Sequence, residues 1–344
     1  MNNFYDVAVV GLGAMGSSAS YHLAAKGLTV LGLDRYTPPH DFGSSHGETR
    51  IIRTAYAEGP HYVKMVQRAY ELWEELQDRV KRDLIVRTGG IFIGQPESEM
   101  VDSAEQSAKL HELEYERISS SEIKNRWEHL NPDPDMDAIY DPLAGVLFPE
   151  ACIQSNLGLA ASFGAELKFQ EPLLKWRASS ESISLQTNNG DYEVGTLILA
   201  VGAWAYKLLA DFKFPSAVER QILFWFSPVV ETMEFHPDNC PIYVWDFGGT
   251  HFYGFPDFGS GVKVSRMHNG VLADPDLIVR KVEPDDEGPV RKFLKKYIPL
   301  ANGNLVSATV CMFTNTPDLD FVLDNHPIYP NVLIASPCSG HGFK

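Results

Sequence analysis

A glycine-rich turn near the N-terminus is the strongest constraint on how this chain folds. The sequence G-L-G-A-M-G at residues 11–16 follows an apolar run at 6–10. Residues 14–26 then have the pattern of a helix, and 29–33 that of a second buried strand. In G-x-G-x-x-G the glycines permit a tight turn, a close backbone approach to a pyrophosphate and close helix–strand packing. The segment therefore predicts a βαβ unit that binds a dinucleotide at the helix N-terminus.

An acidic residue supports this interpretation. Asp34 ends the second strand, where a carboxylate can bind ribose hydroxyls. Strand, turn, helix and acid together favour nucleotide binding over an ordinary glycine-rich turn, but they do not separate FAD from NAD. The cofactor-binding residues predicted from this unit are Gly11, Gly13, Ala14, Met15, Gly16, Asp34 and Arg35.

Length and charge narrow the class of protein. A chain of 344 residues favours two domains. The formal net charge of −16 and the lack of any run of Lys or Arg argue against binding to nucleic acid or to anionic membranes. No apolar stretch approaches the roughly 18 residues of a membrane span, and the N-terminus lacks a basic signal region.

The cysteines exclude two further classes. The four of them lie far apart, with no C-x-x-C pair, so we expect neither a zinc site nor a disulfide scaffold. This pattern suits a reducing compartment, and we expect a cytoplasmic protein without a metal.

A loop of glycine, serine and basic residues at 43–53 follows soon after Asp34, too early for the substrate loop of a nicotinamide dehydrogenase. Taken alone, Arg50 and Arg53 in this loop would be interpreted as solvated charges. Likewise, Cys311 after an apolar strand would be interpreted as a small buried hydrophobe. The same caution applies to Lys263, whose head could reach solvent from its strand.

Several segments together change that interpretation. The loop at 43–53, the strand at 254–263, the segment C-M-F-T-N-T-P-D at 311–318 and the segment S-G-H-G-F-K at 339–344 resemble the monomeric sarcosine oxidase family. The resemblance runs along nearly the whole chain. Members of this family are flavoenzymes that carry FAD on a cysteine thioether and oxidise secondary amines of amino acids.

The resemblance implies a set of cofactor contacts. Cys311 would bond to the 8α-methyl group of FAD, and His46 and Arg50 would lie beside the flavin ring. Two guanidiniums and an imidazole there would favour a reduced flavin and an anionic substrate. The further cofactor-binding residues implied are Ser44, Gly202, Trp204, Gly340, Gly342, Phe343 and Lys344.

It also implies catalytic and substrate-binding roles. Lys263 would assist O2, because a cation near the flavin stabilises developing superoxide. Arg53 and Lys344 would bind the substrate carboxylate. Relatives place a histidine four residues after the lysine, whereas this chain has Met267 there and His268 next, so a substrate contact for His268 stays open.

Two further departures from the family bear on the substrate and on stability. Many relatives have tyrosine where this chain has Phe313, and loss of that hydroxyl favours a different or more apolar substrate. The family continues for several tens of residues beyond the position of Lys344, with a helix that packs on the sheet. We expect a protein that lacks this helix to be less stable and less active.

The predicted fold class is α/β. A Rossmann-like FAD-binding domain is expected at residues 1–86, 146–213 and 318–344. A second α+β domain with a large, mostly antiparallel sheet is expected at 87–145 and 214–317 and would hold the substrate.

The predicted function is an FAD-dependent oxidase of secondary amines of amino acids, such as sarcosine or another N-methyl amino acid. It would use O2 and yield hydrogen peroxide and an imine that hydrolyses to an aldehyde and an amine. Pipecolate and fructosyl amino acids fit the same scaffold. Two other hypotheses are a non-catalytic flavin-binding relative and an NAD-dependent dehydrogenase. The partners expected are a small amino-acid-derived substrate and O2, and we expect a monomer.

Overall fold

The computed structural model describes residues 4–179, 181–212, 214–268 and 270–344. The helices are α1 (Ala14–Ala25), α2 (Val63–Val80), α3 (Glu99–Leu110), α4 (Ser120–Arg126), α5 (Pro149–Ser162), α6 (Ala205–Leu208) and α7 (Pro284–Tyr297). Short 3-10 turns lie at Pro60–Tyr62, Gly202–Trp204, Ala210–Phe212 and Pro299–Ala301.

The strands form three sheets. In chain order they are β1 (Phe4–Val10), β2 (Val30–Leu33), β3 (Arg50–Ile52), β4 (Ile85–Arg87), β5 (Gly90–Gly94), β6 (Glu116–Ser119), β7 (Asp137–Asp141), β8 (Gly145–Leu147), β9 (Glu166–Lys168), β10 (Leu173–Ala178), β11 (Ile183–Thr187), β12 (Asp191–Leu199), β13 (Ala217–Phe226), β14 (Ile242–Asp246), β15 (His251–Phe255), β16 (Val262–Met267), β17 (Leu305–Asn315), β18 (Leu323–Asn325) and β19 (Val332–Ala335).

The first sheet has a parallel centre. Its order is β10-β11-β12-β1-β2-β9, with β19 beside β12 and β18 beside β19. Strand β1 pairs in parallel with both β2 and β12, and the buried runs of β1 and β2 fill the core as their apolar sequences predict. Helices α1 and α5 pack against each other. This sheet carries the glycine turn at its centre, where β1 ends.

The second sheet is almost entirely antiparallel. Its order is β17-β13-β16-β15-β14-β5-β7-β6, and only β14 and β5 run in parallel. One face buries a large aromatic core that includes Phe224, Trp245 and Phe293. Alternation along the strands places other side chains, among them Trp225 and Cys311, on the opposite face.

The third sheet is small. It has the order β3-β8-β4, and β3 places Arg50 at its start. A mixed α/β fold with a second, mostly antiparallel sheet is the predicted fold class, which is confirmed. The division into two domains at the boundaries given above stays a prediction. In the described part of the chain, no helix is both long and apolar enough to cross a membrane.

Candidate active site

The turn between β1 and α1 needs glycine at two positions. Gly11 has φ +86°, and a Cβ added there would lie 2.5 Å from the carbonyl oxygen of Ala200. A Cβ on Gly16 would lie 1.7 Å from the carbonyl oxygen of Gly11. At Gly13 a Cβ would meet only the Ser45 hydroxyl, at 3.4 Å, and the same hydroxyl accepts from the Ala14 N–H at 3.2 Å at the start of α1.

A cavity of about 500 Å³ opens beside this turn. Its size falls in the range of roughly 300–1,000 Å³ that is common for ligand and cofactor sites. Most of the predicted cofactor residues line it, namely Gly11, Gly13, Ala14, Met15, Asp34, Arg35, Ser44, Arg50, Gly202, Trp204, Gly340, Gly342 and Phe343. The other four predicted cofactor residues, Gly16, His46, Cys311 and Lys344, are not among its lining residues.

Asp34 sits buried at the end of β2, at the edge of this cavity. Its carboxylate accepts hydrogen bonds from the backbone N–H of Leu12 at 2.7 Å and of Tyr36 at 2.8 Å. One such bond on each oxygen leaves acceptor capacity for ribose hydroxyls. A helix N-terminus, a close glycine turn and a buried carboxylate at one cavity therefore fit a dinucleotide such as FAD.

Asp276 is a cavity residue that the sequence did not reveal. Its carboxylate accepts from Arg35 at 2.7 Å, from the Trp204 indole at 2.8 Å and from Lys207 at 2.6 Å. These three donors hold the pKa of Asp276 below its usual range, although burial opposes them. The segment around Asp276 thus ties the antiparallel sheet to the nucleotide end of the cavity. An acid on a loop about 240 residues from Arg35 carries no local pattern by which to find it.

Cys311 lies on β17 with its thiol buried. Sγ is 3.8 Å from Nη2 of Arg50 and 3.6 Å from the carbonyl oxygen of Ser44, and both of those residues line the cavity. Arg50 is itself fixed by bonds to the carbonyls of Ser44 and Thr49, at 2.7 and 2.8 Å. The structure therefore brings Cys311 next to the cavity beside a fixed guanidinium.

The head of Lys263 is buried, not solvated. Its Nζ donates to the carbonyl oxygens of Gly47 at 2.6 Å and Thr49 at 2.9 Å, and to the Thr49 hydroxyl at 3.0 Å. It also lies 4.6 Å from the centre of the Phe255 ring. Burial, followed by the charge of Arg50, lowers the pKa of Lys263 well below its usual value. A buried ammonium held on the segment that leads into Arg50 is able to act on charge that develops nearby.

His46 is also buried, at 4% exposure, and its Nε2 has no hydrogen-bond partner among the described residues. Burial, with the charges of Arg50 and Lys263, lowers the pKa of His46 to about 3. The imidazole is therefore neutral at physiological pH. A neutral ring can exchange a hydrogen bond with a cofactor without adding a charge.

The predicted carboxylate-binding pair is brought together around one aromatic ring. The guanidinium of Arg53 lies 5.2 Å, and Nζ of Lys344 4.6 Å, from the centre of the Tyr56 ring. Arg53 also makes an ion pair of 2.5 Å with Glu58, a residue that sequence reasoning missed. An internal carboxylate thus occupies the guanidinium that we expect to bind a substrate carboxylate.

The charges in this cluster depend on each other. Burial, with the charge of Arg53, lowers the pKa of Lys344 to about 7, although Glu58 opposes this. Burial raises the pKa of Glu58, but Arg53 and then Lys344 outweigh it and hold that pKa well below its usual range. The Glu58 side chain is 27% exposed, so the ion pair is open to solvent on one side.

His268 lies at the far end of β16, against Phe313. Its ring centre is 5.3 Å from that of Phe313, which lines the cavity. Nδ1 of His268 is 3.4 Å from Glu219, whose buried carboxylate also accepts from Asn315 and Gln221 at 2.9 Å each. The structure therefore places His268 near the cavity but pairs it with Glu219.

These features define a class of protein. The dinucleotide cavity has a buried cysteine beside its lining residue Arg50, and a buried lysine and a cation pair lie on neighbouring segments. This set of groups fits a flavin-dependent oxidoreductase. The chain belongs to the FAD dependent oxidoreductase family, which it matches over residues 6–344. The predictions of the family, of an FAD-dependent enzyme and of an oxidoreductase are confirmed.

Two relatives cover almost the whole chain. It is 40% identical over 349 residues to the monomeric sarcosine oxidase of Streptomyces avermitilis, covering 100% of this chain and 91% of that protein. It is 30% identical over 344 residues to the N-methyl-L-tryptophan oxidase of Salmonella typhi, covering 99% and 91%.

Solved structures support the fold. The L-proline dehydrogenase of P. horikoshii matches with a TM-score of 0.86 at 20% identity, over 100% of this chain and 90% of that one. The glycine oxidase of Geobacillus kaustophilus matches with a TM-score of 0.82 at 19% identity, over 99% and 91%. At these identities the likeness concerns the fold alone.

Proposed function

We propose that this protein oxidises the secondary amine of an α-amino acid, with FAD as the electron carrier and O2 as the final acceptor. The observation that carries the proposal is the convergence of Arg53 and Lys344 on the Tyr56 ring, close to a dinucleotide cavity. Two cations at one apolar surface form a binding site for a carboxylate. The chain's likeness to a sarcosine oxidase and an N-methyl-L-tryptophan oxidase adds that the amine is secondary.

The reaction balances in three steps. The carbon next to nitrogen loses a hydride, which is one proton with two electrons, the nitrogen loses a proton, and a C=N bond forms. The two electrons, for which bound FAD would supply the carrier, and the two protons end on O2, which becomes hydrogen peroxide. Water then adds to the imine, which splits into a carbonyl compound and a smaller amine.

The protein's own residues would position the substrate. In the proposal the substrate carboxylate replaces that of Glu58 on Arg53, and Lys344 contributes a second cation when protonated. Tyr56 and Phe92 lie against the Arg53 guanidinium at 5.2 and 5.1 Å and keep that site largely apolar. Such anchoring holds the C–H bond in a fixed place, which is worth several orders of magnitude in rate.

Lys263 would serve the oxygen step. It is buried, and its ammonium donates to fixed oxygen acceptors. Burial lowers its pKa, and Cys311 is close enough to oppose that shift. When O2 accepts its first electron, a negative charge appears. A preorganised cation in a site that excludes water stabilises that charge without reorganisation.

A peroxide assay tests the activity. The purified protein is given sarcosine, larger N-methyl amino acids, pipecolate and a fructosyl amino acid, with glycine as the primary-amine control. We expect peroxide release with at least one secondary amine and little with glycine. Release with pipecolate or the fructosyl compound alone would move the substrate to those classes. No release with any amine would favour a non-catalytic flavin protein, and hydride exchange with NAD would favour a dehydrogenase.

We further propose that FAD is bound covalently, by a thioether from Cys311 to the 8α-methyl group. The support is the 3.8 Å approach of Arg50 to Sγ and the position of Cys311 next to the cavity. Acid precipitation separates free from attached flavin. The pellet should stay yellow in the wild type and become colourless in Cys311→Ser, with the colour in the supernatant. A colourless wild-type pellet would refute the linkage but not FAD binding.

The same proposal includes a monomer with a discontinuous FAD-binding domain. Arg35 and Asp276 join the two predicted domains across the nucleotide end of the cavity. Light scattering at micromolar concentration should give a mass near 38.4 kDa plus that of the flavin. A mass of twice that value would refute the monomer.

A further inference from the structure

A carboxylate on helix α5 reaches into the turn that faces Lys263. Glu150 is the second residue of α5, and its Oε1 accepts from the backbone N–H of Gly47 at 2.7 Å and of Glu48 at 3.1 Å. About one hundred residues of chain separate the two segments. No sequence motif marks Glu150. It is not among the lining residues of the dinucleotide cavity, and it is not one of the contacts of Arg53 and Lys344.

The turn that Glu150 holds has an unfavourable backbone. Gly47 has φ +97° and Glu48 φ +69°, so two successive residues lie in the left-handed region. A Cβ on Gly47 would lie 2.4 Å from the side chain of Leu223. A residue other than glycine in this region is strained and persists only where the surroundings enforce it. Here external hydrogen bonds must supply that enforcement.

The side chain of Glu48 fastens the same turn to the large sheet. Its Oε2 accepts from the Trp225 indole at 3.0 Å and its Oε1 from the Ser260 hydroxyl at 3.1 Å. Glu48 therefore holds the turn from the sheet side. Glu150 holds it from the helix side, through the backbone.

The turn at residues 47–49 forms the binding site for the ammonium group of Lys263. Gly47 and Thr49 present three oxygens, at 2.6, 2.9 and 3.0 Å from Nζ of Lys263. An ammonium has three donors, so all of them are used. The position of the charge is therefore set by the turn, and the backbone of the turn is set by Glu150. Burial and then Arg50 lower the pKa of Lys263, whereas Cys311, Glu150 and Glu48 oppose that shift. His46 also lies within electrostatic reach of the lysine.

We propose that Glu150 is a positioning residue for the oxygen step, which holds the turn at residues 47–49 in the conformation that fixes the ammonium of Lys263. The inference rests on the proposed function, in which Lys263 stabilises charge that develops on O2. Glu150 acts through the two amide hydrogen bonds and touches neither the reacting carbon nor O2.

Three variants of the holoenzyme separate positioning from charge. Glu150→Ala removes both hydrogen bonds. Glu150→Gln keeps an oxygen for the two amides but removes the charge, and Glu150→Asp keeps the charge but draws it back by one methylene. Glu99→Gln, which removes an exposed acid from the first turn of α3, is the control for a charge lost at a helix N-terminus.

Rapid mixing measures the two halves of the reaction apart. Anaerobic reduction by substrate should stay within twofold of wild type in every variant, since Arg53 and Lys344 are untouched. Reoxidation by O2 should slow at least tenfold in Glu150→Ala and Glu150→Asp and stay within threefold in Glu150→Gln and the control, as expected where one preorganised charge is misplaced. Reoxidation within twofold of wild type in Glu150→Ala, or in Glu150→Asp should the alanine variant not fold, would overturn the proposal. Equal losses in the Gln and Ala variants would also overturn it, because charge and not position would then carry the effect.

Hydrogen exchange supplies a readout that does not need turnover. The peptide that contains Gly47 and Glu48 should exchange faster in Glu150→Ala and as in wild type in Glu150→Gln. Unchanged exchange in Glu150→Ala would overturn the proposal. A wild-type enzyme that no amine reduces would instead refute the proposed function, while the exchange result would still report on the turn.

Discussion

Single charged residues determine the chemistry that this site can perform. Arg53 is paired with Glu58, so the free site already contains an anion where an anionic substrate is expected. Both carboxylate oxygens of Glu58 accept from one guanidinium nitrogen of Arg53, and the Glu58 side chain is 27% exposed. In the proposed function, Glu58 and the substrate carboxylate compete for the guanidinium of Arg53.

Removal of the internal acid should strengthen carboxylate binding. We expect Glu58→Gln to lower the Kd of a simple carboxylate such as acetate about fivefold, because a partly exposed ion pair is worth roughly 1 kcal/mol. The binding is followed by the change in the visible spectrum of the flavin. Glu74→Gln, which breaks a surface pair with Arg87, should leave the Kd unchanged. Weaker acetate binding in Glu58→Gln would show that the acid supports the site instead of blocking it.

Lys344 makes carboxylate binding depend on pH. Burial, with Arg53, lowers its pKa to about 7, so the ammonium is charged below pH 7 and neutral above it. A bound anion prefers the charged form, and acetate itself stays ionised above pH 6. The Kd of acetate should therefore rise as pH increases from 6 to 9, with the main change near 7, by about tenfold. A Kd that is constant over this range would show that the ammonium of Lys344 does not bind the carboxylate.

Among single residues, the sequence predicts the basic residues and the cysteine of the site better than its acids. Arg53, Lys263 and Cys311 stand in segments that resemble a family, and the structure brings each of them to the site region. Glu58 pairs with Arg53 only five residues earlier, but no motif marks it. The role of Glu150 arises only from partners about one hundred residues away. Acid pairing across one hundred residues is set by the tertiary fold, which a local pattern does not display.

The glycine turn between β1 and α1 depends on the missing side chain of Gly16. A Cβ on Gly16 would lie 1.7 Å from the Gly11 carbonyl, so Gly16→Ala must displace the turn at the cavity. We expect this variant to lose bound FAD and to be purified largely without flavin, measured as the ratio of visible to ultraviolet absorbance. Gly158→Ala in α5 is a matched control, since a Cβ there meets nothing within 4 Å. It should keep its flavin and gain about 0.5–1 kcal/mol of stability. Full flavin content in Gly16→Ala would contradict the assigned turn.

Element boundaries were the weaker part of the sequence prediction. The apolar runs near residues 192–194 and 196–201 suggest two strands, yet β12 is one strand that continues through Gly195. Parallel pairing with β1 on both sides of this glycine, at Tyr5 and Val7, holds the strand together. Helix α5 has no apolar stripe because several of its faces are buried, so its sequence gives no helical periodicity.

The whole molecule carries a set of buried neutral histidines. Burial lowers the pKa of His46 to about 3 and those of His129 and His341 to about 4. In the unfolded chain these groups titrate near 6.5. Between pH 6.5 and 4 the unfolded state therefore binds more protons than the folded state, so acid destabilises the fold.

The free energy of unfolding should consequently fall as pH decreases from 6.5 to 4.5. Each such histidine contributes at most about 1.4 kcal/mol per pH unit. Denaturant titrations at several pH values measure the slope. His129→Gln should reduce the slope by one such contribution. A slope of zero in the wild-type protein would contradict the neutral buried state of these rings.

The central claim is that a secondary amine of an amino acid delivers its electrons to a flavin in the cavity between Gly11 and Cys311. Anaerobic mixing of the purified holoenzyme with N-methyl amino acids, followed by visible absorbance, tests it most directly. The account predicts that the flavin bleaches with at least one N-methyl amino acid, stays oxidised with the corresponding primary amine, and regains its colour when O2 is admitted. A flavin that stays oxidised with every secondary amine but bleaches with NADH would contradict the account.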